Sequence, residues 1–101
     1  MNLGVVIGRI WATRKDPALE GRRLLILRPL HFDRRPAGDP LIALDTVDSG
    51  EGDHVIYVSS TEATIPFRPG ITPTDATIVG VVDRVDLKTG SWKIEGVPAG
   101  D

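Results

Sequence analysis

The chain has no cysteine. Disulfides and thiolate zinc sites are therefore excluded, and a reducing cytoplasm is compatible with the sequence. Aromatic residues make up only 5% of the chain. Trp11, Phe32, Tyr57, Phe67 and Trp92 are too widely spread to suggest a base-stacking platform. No apolar run approaches the roughly 18 residues of a membrane-spanning helix. The start, "MNLGVVIGRIWATRK", places its apolar run before its basic residues, so no secretory leader is expected there. The two histidines, His31 and His54, each stand apart from other potential metal ligands or catalytic partners. No serine lies in a Gly-x-Ser-x-Gly elbow. No catalytic constellation emerges, so neither enzymatic activity, a cofactor nor a bound metal is expected.

Positive charge is also not in excess. Twelve Lys and Arg against fourteen Asp and Glu give a net charge of −2, which argues against a dedicated nucleic-acid binder. The distribution is uneven. Residues 1–35 carry eight basic and three acidic residues, a balance of +5; residues 36–101 carry four and eleven, a balance of −7. Scattered surface charge is the simplest account; the other is that one face of a subunit complements another face of its neighbour, a heterologous contact that closes into a ring when the rotation permits.

At 101 residues the chain is long enough for one domain with a modest core. Residues 3–12, 22–30, 41–47, 53–60 and 76–87 are rich in β-branched and other apolar residues and read as five strands. "SWKIEGV", 91–97, alternates apolar with charged residues as a half-exposed last strand would. Ser59 and Glu62 have the spacing of a capping box, so a single helical turn is expected before Pro66. Residues 13–21, 31–40 and 66–75 carry proline and glycine and read as loops. Five or six strands with almost no helix give an all-β fold class, a small barrel or sandwich. Several strands are apolar on both faces, as in "LLIL" at 24–27 and "IVGVV" at 78–82. Without helices to cover them, a second copy of the chain is the simplest cover. Gly4, Gly8 and Gly80 within strands suggest bulges or close backbone approach.

Between the third and fourth strands lies "DSGEGD", 48–53, in which two glycines alternate with acids. Asp45, Asp48, Glu51 and Asp53 lack the spacing of a calcium-binding loop. The acids would also repel a phosphate. A hairpin turn with glycine at positive φ is the simplest account, and the rim of a pore is another. The pairs Arg14-Lys15, Arg22-Arg23 and Arg34-Arg35 could follow a phosphate backbone on an OB-type barrel, or form interface salt bridges.

The motifs taken in order narrow these alternatives. "LGVVIG" at 3–8 is followed by Thr13, Lys15, Pro17, Leu19 and Gly21 in a Thr-x-Lys-x-Pro-x-Leu-x-Gly pattern. "DTVDSGEGD" occupies 45–53, "SSTEA" 59–63 and "DATIVGVVD" 75–83. This series resembles the pentameric bacterial microcompartment vertex proteins of the ethanolamine-utilisation and carboxysome types. The sequence departs from that pattern at Asp48, where the family has glycine, at Ser49, where it has alanine, and at Thr64, where arginine is frequent.

The resemblance implies a five-stranded OB-like barrel with a short helical turn, the whole chain forming one vertex domain. The tail runs past where many members end, so 86–101 is expected to form a C-terminal hairpin extension. The resemblance also implies a non-enzymatic homopentamer that caps the vertices of a polyhedral shell in the cytoplasm, beside hexameric and trimeric shell proteins, with no nucleic acid or membrane as partner. Asp48, Ser49, Gly50, Glu51 and Gly52 are expected near the five-fold axis. Arg14, Lys15, Pro17, Leu19, Gly21, Arg22 and Arg23 are expected at the subunit interface. An OB-type module binding single-stranded nucleic acid is the alternative.

Overall fold

A computed structural model describes residues 1–11, 23–59 and 76–94. They form seven strands: β1 Asn2–Ile10, β2 Arg23–Leu30, β3 Leu41–Asp45, β4 His54–Ser59, β5 Ala76–Val81, β6 Arg84–Leu87 and β7 Gly90–Lys93. The first five close into a barrel in the order β1-β2-β3-β5-β4, while β6 and β7 pair separately as a hairpin. The expected all-β OB-like barrel is thus present. The expected helical turn after Ser59 lies outside the described residues. Closure gives each of the five barrel strands two pairing neighbours among the described residues.

Alternation along the strands sends Val6, Leu25, Leu27, Ala43, Val55, Tyr57, Ala76 and Ile78 into one core, with Leu41 packed against it. Burying a side chain of Val, Leu or Ile size contributes about 1.5–3 kcal/mol, so these residues dominate the barrel's stability. Gly4 sits where a Cβ would lie 3.1 Å from the Tyr57 ring and 3.2 Å from the Arg28 carbonyl oxygen. Its lack of a side chain makes room for that ring. Two register shifts bend the barrel, one between Val6 and Gly8 on β1 and one between Ile56 and Tyr57 on β4. Gly8 and Gly80 border these irregularities.

Residues on the other face are not all left to solvent. Leu44 alternates with Ala43 of the core and is nevertheless fully buried. By contrast, Ile42 pairs with Ile26 on β2, which pairs with Gly8 on β1, and Ile42 is 39% exposed. Ile7, the extra residue at the β1 bulge, is 44% exposed. An apolar strip therefore remains uncovered on the outside of β1–β3 in a single chain.

The sequence pattern reads residues 76–87 as one strand, whereas the chain breaks it at 82–83. Val82 still donates its N–H to the His54 carbonyl, 2.8 Å away, but the Asp83 carbonyl accepts from Ile94 N–H, 2.8 Å away. β6 then pairs with β7, Val85 opposite Trp92, rather than continuing the barrel. The apolar alternation persists across the break because the hairpin has an inward face of its own.

Candidate functional site

The segment joining β3 to β4 is a fixed structure. It begins at Asp45, whose side chain is buried at the end of β3. Asp45 Oδ1 accepts the N–H of Val47 at 3.2 Å, the N–H of Ser49 at 3.2 Å and the hydroxyl of Ser49 at 2.9 Å. Its Oδ2 accepts from Arg23 Nη1 at 3.3 Å. A buried carboxylate is tolerated because its oxygens find donors of this kind. Ser49 is 1% exposed, so its hydroxyl also requires a partner, and Asp45 supplies it. The serine that departs from the vertex pattern is thereby accommodated. The Thr46 hydroxyl adds a bond to the Ile78 carbonyl and ties the start of the loop to β5.

The second half of the loop is held against β1. Gly50 N–H donates to Asp53 Oδ2 at 2.8 Å, and Asp53 N–H donates to the Gly50 carbonyl at 3.0 Å. Gly52 N–H donates to the Val6 carbonyl at 2.8 Å, and Val6 N–H donates to the Asp53 carbonyl at 2.9 Å. These bonds continue the β1–β4 ladder back beyond the start of β4 into the loop. Gly52 has φ +90°, a conformation that disfavours a Cβ. Gly50 has no such requirement, and a Cβ there would meet nothing within 4 Å among the described residues. Asp48 itself adopts φ +58° at the position where the vertex pattern has glycine. Aspartate is among the few residues that enter this region with modest frequency.

The acidic loop is partly compensated within its own chain. Arg23 Nη1 donates to Asp48 Oδ1 at 2.7 Å, and Arg9 lies 3.7 Å from Glu51. Exposed pairs of this kind contribute about 0–1 kcal/mol each, so they shape the field more than the stability. The structure thus joins Arg23, expected at a subunit interface, to Asp48, expected at the axis. Arg14, Lys15, Pro17, Leu19, Gly21 and Arg22 lie outside the described residues. Sequence reading missed the contribution of Arg9 and the anchoring role of Asp45; nothing local links Arg9 to a loop some forty positions later. Among the described residues no group of acids, histidines and cysteines could hold a metal ion.

A closed barrel of this strand order, with a rigid glycine-acid loop joining its third and fourth strands, places the chain in a recognisable class. The family model for the ethanolamine utilisation protein EutN/carboxysome matches residues 1–83. The chain belongs to this EutN/CcmL family, as its motifs anticipate. It is 35% identical to the bacterial microcompartment shell vertex protein GrpN of Rhodospirillum rubrum, across 85% of this chain and 97% of that protein. It is 32% identical to the shell vertex protein EutN of Salmonella typhimurium, across 84% and 86% of the two chains. The solved structure of Escherichia coli EutN superposes with a TM-score of 0.78 at 28% identity, covering 90% of this chain and 94% of that one. The solved structure of GrpN is described as a pentameric microcompartment shell protein and superposes with a TM-score of 0.71, covering 82% and 94%. A nucleic-acid-binding role, the alternative raised by the barrel, is not favoured by these relatives.

Proposed function

We propose that this chain is a structural subunit of a bacterial microcompartment shell and forms homopentamers that cap the shell's vertices. The observation that carries the reading is the family match over residues 1–83 on a closed five-strand barrel, with a pentameric shell protein among its relatives. A flat hexagonal layer closes into a polyhedron when some six-fold positions become five-fold, and this subunit fills such positions. Its neighbours in the shell are hexameric and trimeric shell proteins, and the shell lies in the cytoplasm. The role is structural rather than catalytic, in keeping with relatives that are named vertex proteins.

In this reading the whole chain is one vertex domain with a C-terminal extension over 86–101. The apolar strip bearing Ile7 and Ile42 meets a neighbouring copy, since in one chain it remains exposed. Arg14, Lys15, Pro17, Leu19, Gly21, Arg22 and Arg23 belong to the subunit contacts. The loop 48–52 faces the five-fold axis. Five copies of Asp48, Ser49, Gly50, Glu51 and Gly52 would then line any opening there, its negative charge moderated by Arg9 and Arg23. Native mass spectrometry tests the assembly. A species of five chain masses at micromolar concentration is expected, and a stable monomer would overturn the reading.

A further inference from the structure

We propose that the β6–β7 hairpin is a proton-released latch, held on the barrel through Trp92 by contacts that require an uncharged His54. The inference does not rest on the vertex reading. Among the described residues, the hydrogen-bond, ring and cation contacts from the hairpin strands to the barrel and its β2–β3 loop run through Trp92. Its Nε1–H donates to the Phe32 carbonyl at 2.7 Å. The Arg34 guanidinium carbon lies 4.7 Å from the centre of its ring. The His54 ring lies 5.1 Å away, tilted by 54°. The loop that receives Trp92 is itself under constraint, since Arg34 has φ +74° without being glycine. Docking of Trp92 and the strained turn at Arg34 therefore support one another.

His54 is the proton-sensitive member. Its Nδ1 is buried and has no hydrogen-bond partner among the described residues. Protonation would make both ring nitrogens N–H donors and leave that one without an acceptor. The charged groups acting on the ring are Arg34 from the β2–β3 loop, which repels a cation, and Asp53, the preceding residue, which attracts one. Across on β1 the paired residue is the uncharged Val5. The indole face favours a cation, but the Arg34 guanidinium already lies over that ring. Burial, followed by Arg34, holds the His54 pKa below the ordinary value of 6.5 despite Asp53.

The sign follows from linkage. The docked hairpin holds the lower pKa, so the undocked state takes up the proton more readily. Docking is at full strength above about pH 6.5 and weakens as the pH falls below it. Reciprocally, removing the hairpin contact must raise the His54 pKa. The chain has two tryptophans, so Trp11→Phe leaves Trp92 as the only one. In the full chain carrying that change, Trp92 emission should shift to the red as the pH is lowered from 8 to 5. The midpoint should fall below about 6.5. Adding His54→Gln should abolish the transition, whereas adding His31→Gln should leave it in place. In a second measurement, proton NMR of the His54 ring should show its titration moving upward in Trp92→Ala. Emission that is flat with pH, a transition that survives His54→Gln, or a His54 titration indifferent to Trp92→Ala would each overturn the latch.

Discussion

The barrel and the hairpin that follows it are both built from short β-strands, yet they are held in different ways. The five barrel strands form a closed cycle of pairings around a core of eight buried residues. Among the described residues the hairpin strands pair only with each other, through four residue pairs, and their hydrogen-bond and ring contacts to the rest of the molecule run through one indole. An isolated two-stranded hairpin is marginal in water, so it draws its order from that contact. The boundary coincides with the end of the family match at residue 83. Stability in the barrel is therefore shared among many contacts. In the hairpin it is concentrated, and that concentration makes it open to control by a single group.

The largest expected effect comes from breaking the shared part. Leu27 is fully buried and paired to both Val6 and Leu41. Leu27→Ala should lower unfolding stability by about 2–5 kcal/mol in urea titration. Barrel and hairpin should then be lost together, because the hairpin docks on the barrel and its β2–β3 loop through Trp92.

The loop between β3 and β4 sharpens the comparison, because its bonds to β1 make it part of the barrel. Gly52→Ala forces a Cβ onto φ +90°. A cost of about 1–2 kcal/mol is expected, visible as a lower denaturation midpoint. Gly50→Ala meets open space among the described residues and should leave the stability of a single subunit unchanged. A loss of oligomeric mass in Gly50→Ala would accordingly report a neighbouring copy at that position, whereas full assembly by a Gly50→Val variant would count against crowding at an axis.

The smallest effect on the fold should come from the hairpin. Trp92→Ala should reduce hydrogen-exchange protection of the β6–β7 amides by about tenfold or more, while the barrel amides keep theirs. If protection fell equally in both regions, the two would be one cooperative unit and the contrast would disappear.

The barrel was legible because its strands carry dense β-branched and apolar runs and its motifs recur in a fixed order. Gly4, Gly8 and Gly80 within strands point to the close approach and the two irregularities that the barrel contains. The strand break at Val82 and Asp83 was hidden, since Val79, Val81 and Val85 keep an alternating pattern across it. The candidate loop was found by its glycines and acids, but not its internal wiring. Asp45 resembles any other acid in sequence, and its four donors become apparent only when β2, β3 and the loop come together. The cluster of Phe32, Arg34, His54 and Trp92 had no local signal. Its members are up to 60 positions apart and meet only after the barrel has closed and the chain has folded back.

The anchoring of residues 46–53 by Asp45, Asp53 and β1 also bears on how subunits associate. A mobile loop would have to be ordered when neighbours meet, and that ordering would be subtracted from the free energy of association. Here the loop is already ordered by bonds within its own chain. If the loop faces the axis as proposed, five such subunits approach as nearly rigid bodies, with the shape of their meeting point set in advance. The buried Asp45 carboxylate would then influence ring formation without touching a neighbour, by moving the entropic cost of order from association back to folding.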